Sequence, residues 1–241
     1  MTTMNNAIRR REFLAVAGAG LLVSGCNSSN FDTMTTSGID RMSTGSIGAH
    51  QIRPAIGVDA NLRSAGKMYG EIRDGEHLLA AVPHDKMDPR FRRQRVVNKT
   101  GMPPGTIVVS PHQHHAWYVL SNDEAVRYGV GVGKAGFEWQ GDAVIARKAQ
   151  WPRWTPPAEM IQRRPDLVKF AGGQEGGIDN PLGARALYLF ADGRDTLYRL
   201  HGTPEWDSIG KSMSSGCIRF LNQDIIDLYN RVPNGTRVRV I

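Results

Sequence analysis

The chain has 241 residues, 40% hydrophobic and 22% charged, which bounds it to one sizeable globular domain with appendages. Its net charge is +7, of which Arg9, Arg10, Arg11 and Glu12 supply +2; the remaining excess suits an anionic surface such as cell-wall carboxylates or lipid head groups. No basic run is interleaved with aromatic residues, which excludes a nucleic-acid platform, and two cysteines cannot make a disulfide framework.

In chain order, Arg9–Arg11 form a charged region ahead of the apolar run Phe13–Val23. That run is too short to span a bilayer, and the pattern predicts an export signal over 1–26. Arg10-Arg11-Glu12-Phe13-Leu14 resembles a twin-arginine signal, and Val23-Ser24-Gly25-Cys26 resembles a lipobox that would acylate Cys26. The alternative is a plain cleaved signal with Cys26 incidental. Residues 27–60 read as a flexible tether: 14 of the 22 residues in 27–48 are Ser, Thr, Asn or Gly. Residues 61–103 form a lead-in, with one short element over Glu76–Val82 and a basic strap over Met87–Gln94 that packs on the domain.

From residue 104 the pattern is mainly β, a sandwich-like or barrel-like domain with few short helices. Strands are predicted at Thr106–Val109, Ala116–Leu120, Ala125–Val132, Val144–Ala146, Ala186–Phe190, Thr196–Leu200 and Thr236–Val240. His112, His114 and His115 crowd the first hairpin loop, which reads as an exposed turn and not a metal site. Trp151 to Pro157 is an aromatic, proline-stiffened loop leading into a short helix over Ala158–Arg164. Asn222 is placed to cap a helix running to about Arg231, whose apolar residues recur at three- and four-residue spacing.

The chemistry concentrates between His201 and Asn222. Cys217 is the single cysteine after residue 26, and with a His elsewhere it is a candidate nucleophile. His201, followed by Gly202, Thr203 and Pro204, fits a base at a strand end. Gly216 allows close backbone approach, so its amide and that of Cys217 can face a developing oxyanion. Glu205 and Asp207 are the acids between the pair; either they or a backbone carbonyl can orient the His. Arg219, Arg185 and Arg199 are the guanidinium groups suited to carboxylate binding.

The run from His201 through Ser214-Ser215-Gly216-Cys217-Ile218-Arg219 resembles the active-site signature of the YkuD-type L,D-transpeptidases, with Ser215 where many members carry His. Asn180–Arg185 also resembles a family segment preceding a core strand. The resemblance covers about 104–241 and implies that domain's fold, with a lid-like insertion around Trp151–Arg164. It implies Cys217 as nucleophile and His201 as base, with Gly216 and Ser215 at the oxyanion. Arg219, Trp206, Arg185 and Trp154 are the candidate substrate contacts. The implied substrate is a peptidoglycan peptide stem. The acyl acceptor is a second stem, an outer-membrane protein amine, or water, which would make the protein a carboxypeptidase. A non-catalytic peptidoglycan-binding lipoprotein, held to the membrane in the envelope by its lipid anchor, is the other class of reading. No metal or cofactor motif is visible and none is expected.

Overall fold

Short runs of β-branched and aromatic residues, punctuated by Gly and Pro, fold as strands separated by tight connections. The computed structural model describes residues 65–213 and 217–241. The export signal with Cys26, the tether up to residue 60, and Ser214, Ser215 and Gly216 lie outside the described residues.

In chain order the strands are β1 (Ile72–Asp74), β2 (His77–Leu79), β3 (Gln94–Val97), β4 (Ile107–Ser110), β5 (His115–Val119), β6 (Glu124–Gly129) and β7 (Gly131–Gly133). They continue as β8 (Gly141–Gln150), β9 (Arg185–Ala191), β10 (Arg194–Thr203), β11 (Ser212–Met213), β12 (Ile218–Leu221) and β13 (Arg237–Val240). Among the described residues the α-helices include α1 (Lys134–Glu138), α2 (Ala158–Arg163) and α3 (Asn222–Arg231). β1 and β2 form a hairpin of their own. The other strands form one mixed sheet in the order β11-β7-β12-β10-β9-β8-β13-β4-β5-β6-β3.

The run predicted as one strand over Ala125–Val132 is two strands, β6 and β7, joined through Val130. Val130 gives its N–H to His114 and its carbonyl to the Gly210 N–H, so the ladder breaks there and the chain changes partners. β6 and β7 lie near opposite ends of the strand order, so the sheet curls back on itself and encloses a core. That core includes Ile107, Tyr128, Leu187, Leu200, Phe220 and Ile225, all buried.

α3 packs on this sheet through Ile225 and Leu228. Its capping position is Leu221, however, and no side chain caps it. Asn222 is already helical, and its Oδ1 instead accepts from the Ala184 N–H at 2.9 Å. The tertiary partner wins because a buried N–H left without an acceptor costs about 1–3 kcal/mol.

The lead-in is integral to the structure. β3 pairs with β6, extending the sheet upstream of residue 104. The basic strap packs on the domain through its arginines: Arg92 is buried, and Arg93 pairs with Asp227 at 3.0 Å and faces Asp224 at 3.6 Å on α3. Tyr69 donates to Asp224 at 3.2 Å. Burial pushes the Asp224 carboxyl up to about 7.

Candidate active site

β10 and β12 run parallel, with Leu200 opposite Ile218 and His201 opposite Arg219. Partners in register project to the same face, so His201 and Arg219 sit side by side. Cys217 lies one residue before β12, two before Arg219. One pair of adjacent strands therefore carries His201 and Arg219 in register, with Cys217 just ahead of the second strand.

His201 falls within β10 and not at its end; Gly202 and Thr203 complete the strand because Thr203 still pairs with Leu221. Its Nδ1 is 2.7 Å from the Gly202 carbonyl. A carbonyl only accepts, so Nδ1 carries the hydrogen and Nε2 presents a lone pair. The orienting group is thus a backbone oxygen and neither acid. Glu205 is engaged with Arg219 at 2.6 Å, and Asp207 lies 3.6 Å from Lys211. The imidazole is buried, which pushes its pKa down to about 4, with Arg219 and Arg199 adding repulsion and the Gly202 bond opposing the shift.

Cys217 is half-buried and free of any disulfide. Its Sγ lies 3.6 Å from the Leu197 carbonyl, so the thiol rests on β10 and not on His201. Leu197 occupies a break in the β9–β10 register and has φ +62°, a strained conformation for a leucine. Burial raises the thiol pKa, and Asp195 adds to the rise, while the Arg199 backbone N–H and guanidinium lower it. Gly136 on α1 packs against the Cys217 backbone: a Cβ there would lie 2.7 Å from the Cys217 carbonyl. The Gly133 N–H donates to that same carbonyl at 2.9 Å.

A cavity of about 410 Å³ is lined by His201 but does not include Cys217. His201, Glu205 and Arg219 form its floor, and the loop between β8 and β9 supplies the rest, including Trp154, Met160, Arg163 and Arg164. Trp154 thus lines this cavity, and Arg185 and Trp206 do not. Arg185 is buried and makes two hydrogen bonds to Asp74, at 2.6 and 2.8 Å. Trp206 packs with Tyr69, Met87 and Leu221 in a separate apolar cluster. Arg163 and Arg164 carry no local motif that marks them as cleft residues. A second cavity of about 500 Å³, lined by residues such as Met102, Ala143 and Phe190, includes neither His201 nor Cys217.

The three loop histidines make different polar contacts, although His112 and His114 both pack on Phe137. His114 lies 3.3 Å from the Ser212 hydroxyl, His115 lies 3.0 Å from the Arg90 carbonyl, and His112 packs on Phe137. Among the described residues, no three His, Cys, Asp or Glu side chains gather as they would around a metal.

The profile of the YkuD family, described as the L,D-transpeptidase catalytic domain, matches residues 104–240. The chain belongs to this family. The match takes in every residue of the His201 cleft and Cys217. "Probable L,D-transpeptidase ErfK/SrfK" of Escherichia coli K12 is 37% identical over 177 residues, covering 68% of this chain and 54% of that protein. "Probable L,D-transpeptidase YbiS" of the same organism is 34% identical over 142 residues, covering 57% and 44%. The chain spans about half the length of the curated relatives it matches. A Brucella melitensis crystal structure, described as "Probable carnitine operon oxidoreductase caia", is 47% identical over 63% of this chain and 94% of its own, with a TM-score of 0.45. An L,D-transpeptidase structure from Mycobacterium tuberculosis H37Rv is 18% identical over 56% and 57%, with a TM-score of 0.40.

Proposed function

We propose that the protein is a cysteine-dependent peptidoglycan L,D-transpeptidase. The observation that supports this reading is the parallel β10–β12 pairing, with Cys217 immediately ahead of β12 and His201 on β10, its Nδ1 tied to Gly202 and its Nε2 left as acceptor.

In the reaction, the Cys217 thiol leaves the Leu197 carbonyl, and His201 Nε2 takes its proton as sulfur attacks the carbonyl of the third residue of a tetrapeptide stem. Proton transfer accompanies attack, because neither resting group favours its charged form. The Cys217 and Gly216 amides and the Ser215 hydroxyl are assigned to the oxyanion; one such donor is worth about 3–4 kcal/mol. The C–N bond to the terminal D-alanine breaks, and that amine leaves with the proton from His201. An acceptor amine then displaces sulfur from the thioester, giving up a proton to His201, and the thiol is restored. The Arg219 guanidinium, held by Glu205 at the cleft floor, and Trp154 on the loop above contact the stem.

The acceptor is a second stem amine, giving a 3–3 cross-link, or an envelope-protein amine. The chain is exported by the signal in 1–26 and anchored through lipid on Cys26, and the tether lets the domain reach the polymer. The test is incubation with tetrapeptide muropeptides. Cys217-dependent release of D-alanine with a new cross-linked dimer supports stem-to-stem transfer. Release with tripeptide alone assigns hydrolysis or a protein acceptor. No Cys217-dependent change overturns the enzyme reading in favour of a binding lipoprotein.

A further inference from the structure

The loop from Trp151 to Ala184 contributes seven of the ten residues lining the His201 cleft, so whatever fixes this loop fixes the cleft. Its two ends meet. Gln150 on β8 pairs with Arg185 on β9, and the Trp151 N–H donates to the Ala184 carbonyl at 2.9 Å. The junction is strained: Trp151 has φ +44°, and Gly176 packs so closely on Trp151 that a Cβ would overlap its carbonyl. Such a conformation persists only where its surroundings hold it.

The holding group comes from outside the family match, on the β1–β2 hairpin. Asp74 accepts from Trp151 Nε1 at 2.9 Å, from Arg185 Nη1 at 2.6 Å and from Arg185 Nη2 at 2.8 Å. One carboxylate thus grips both ends of the loop. The His77 ring, on the same hairpin, packs at a tilt on Trp151 with centroids 3.9 Å apart. Arg185 is followed by Ala186, which pairs with His201 across β9–β10, so the junction is one residue from the strand position that faces the base. The Arg185 bonds hold the Asp74 carboxyl below its ordinary pKa, with its partial burial opposing and Trp151 helping.

We infer that Asp74 is a positioning residue for the transpeptidase site: it clasps Trp151 and Arg185 and so sets the geometry of the loop that covers the donor stem. This rests on the proposed function for its kinetic consequence and not for the clasp itself.

The experiment uses the full-length protein and its Asp74→Asn and Asp74→Glu variants. The first readout is hydrogen–deuterium exchange, which needs no activity. Amides in 151–184 should exchange about tenfold faster in Asp74→Asn while α3, β9 and β12 stay protected, and Asp74→Glu should recover most of the loss. Unchanged exchange in the loop, or a rise throughout the domain, overturns the clasp. The second readout is kinetic. With tetrapeptide as donor, KM should rise about tenfold in Asp74→Asn with kcat within about twofold, while iodoacetamide alkylates Cys217 at the wild-type rate. A fall in kcat and alkylation together overturns the positioning role. If wild-type protein does not turn over the stem, the proposed function fails, and the exchange result still decides the clasp.

Discussion

The pH dependence of Cys217 reactivity follows directly from the burial of the pair. The His201 imidazole lies at about 4 against an ordinary 6.5, an order-of-magnitude charging penalty of about 3 kcal/mol. At pH 7, roughly one imidazole in a thousand is protonated. The thiol is shifted upward from 9.0, so resting proton transfer from Cys217 to His201 is disfavoured by at least about 10⁵-fold. The resting pair is therefore neutral, and free thiolate arises by ordinary titration. Iodoacetamide alkylation of Cys217, followed by intact mass from pH 5 to 9, should rise about tenfold per pH unit with no step near 6.5. His201→Gln should leave that profile nearly unchanged, yet slow acylation by a tetrapeptide stem by about 10²–10⁴-fold, because the base matters when sulfur attacks. A fast plateau between pH 5 and 8 that disappears in His201→Gln would refute this reasoning, since it marks a preformed thiolate–imidazolium pair.

Other predictions concern stability and placement. Because the folded pKa of His201 is depressed, folding stability should fall as pH drops from about 6.5 through about 4, which thermal unfolding across that window checks. Asp224 has the opposite sign: its raised folded pKa favours the fold below the unfolded value of 3.8, and that contribution is lost as pH rises through about 7. Asp224→Asn should therefore gain relative to wild type in melting temperature between pH 5 and 8. Asn222→Ala removes the acceptor of the buried Ala184 N–H and should cost about 1–3 kcal/mol in denaturant unfolding. Gly136→Ala pushes a methyl against the Cys217 carbonyl and should lower stem acylation at least about tenfold while the protein stays folded by circular dichroism.

The strands with alternating or continuous apolar residues were readable because their periodicity reports burial directly. β4, β5, β9 and β13 appear within a residue or so of their predicted bounds. The break at Val130 was not, because the residue itself is an ordinary strand former and the cause is a change of partner decided by His114 and Gly210. Asn222 looked like a cap for the same reason: its sequence context is right, and only the fold reveals the Ala184 amide that claims its side chain. At the site, residue type and spacing mark His201, Cys217 and Arg219; neighbouring parallel strands put His201 and Arg219 in register, with Cys217 just ahead of the second strand. Arg185 carried the right chemistry for a carboxylate, but its partner is Asp74, 111 residues away and invisible to local reading. Trp206 likewise serves packing beneath the lead-in. Arg163 and Arg164 line the cleft with no local signature, since an arginine on a short helix is usually a solvated one.

The most direct test of the account is to trap the acyl-enzyme. The protein is mixed briefly with a tetrapeptide stem in the absence of acceptor, quenched in acid, and measured by intact mass and peptide mapping. The account predicts a thioester adduct carrying the stem without its terminal D-alanine, located on Cys217, absent from Cys217→Ala and slow to form in His201→Gln. An adduct that persists in Cys217→Ala, or D-alanine release that continues without Cys217, contradicts it.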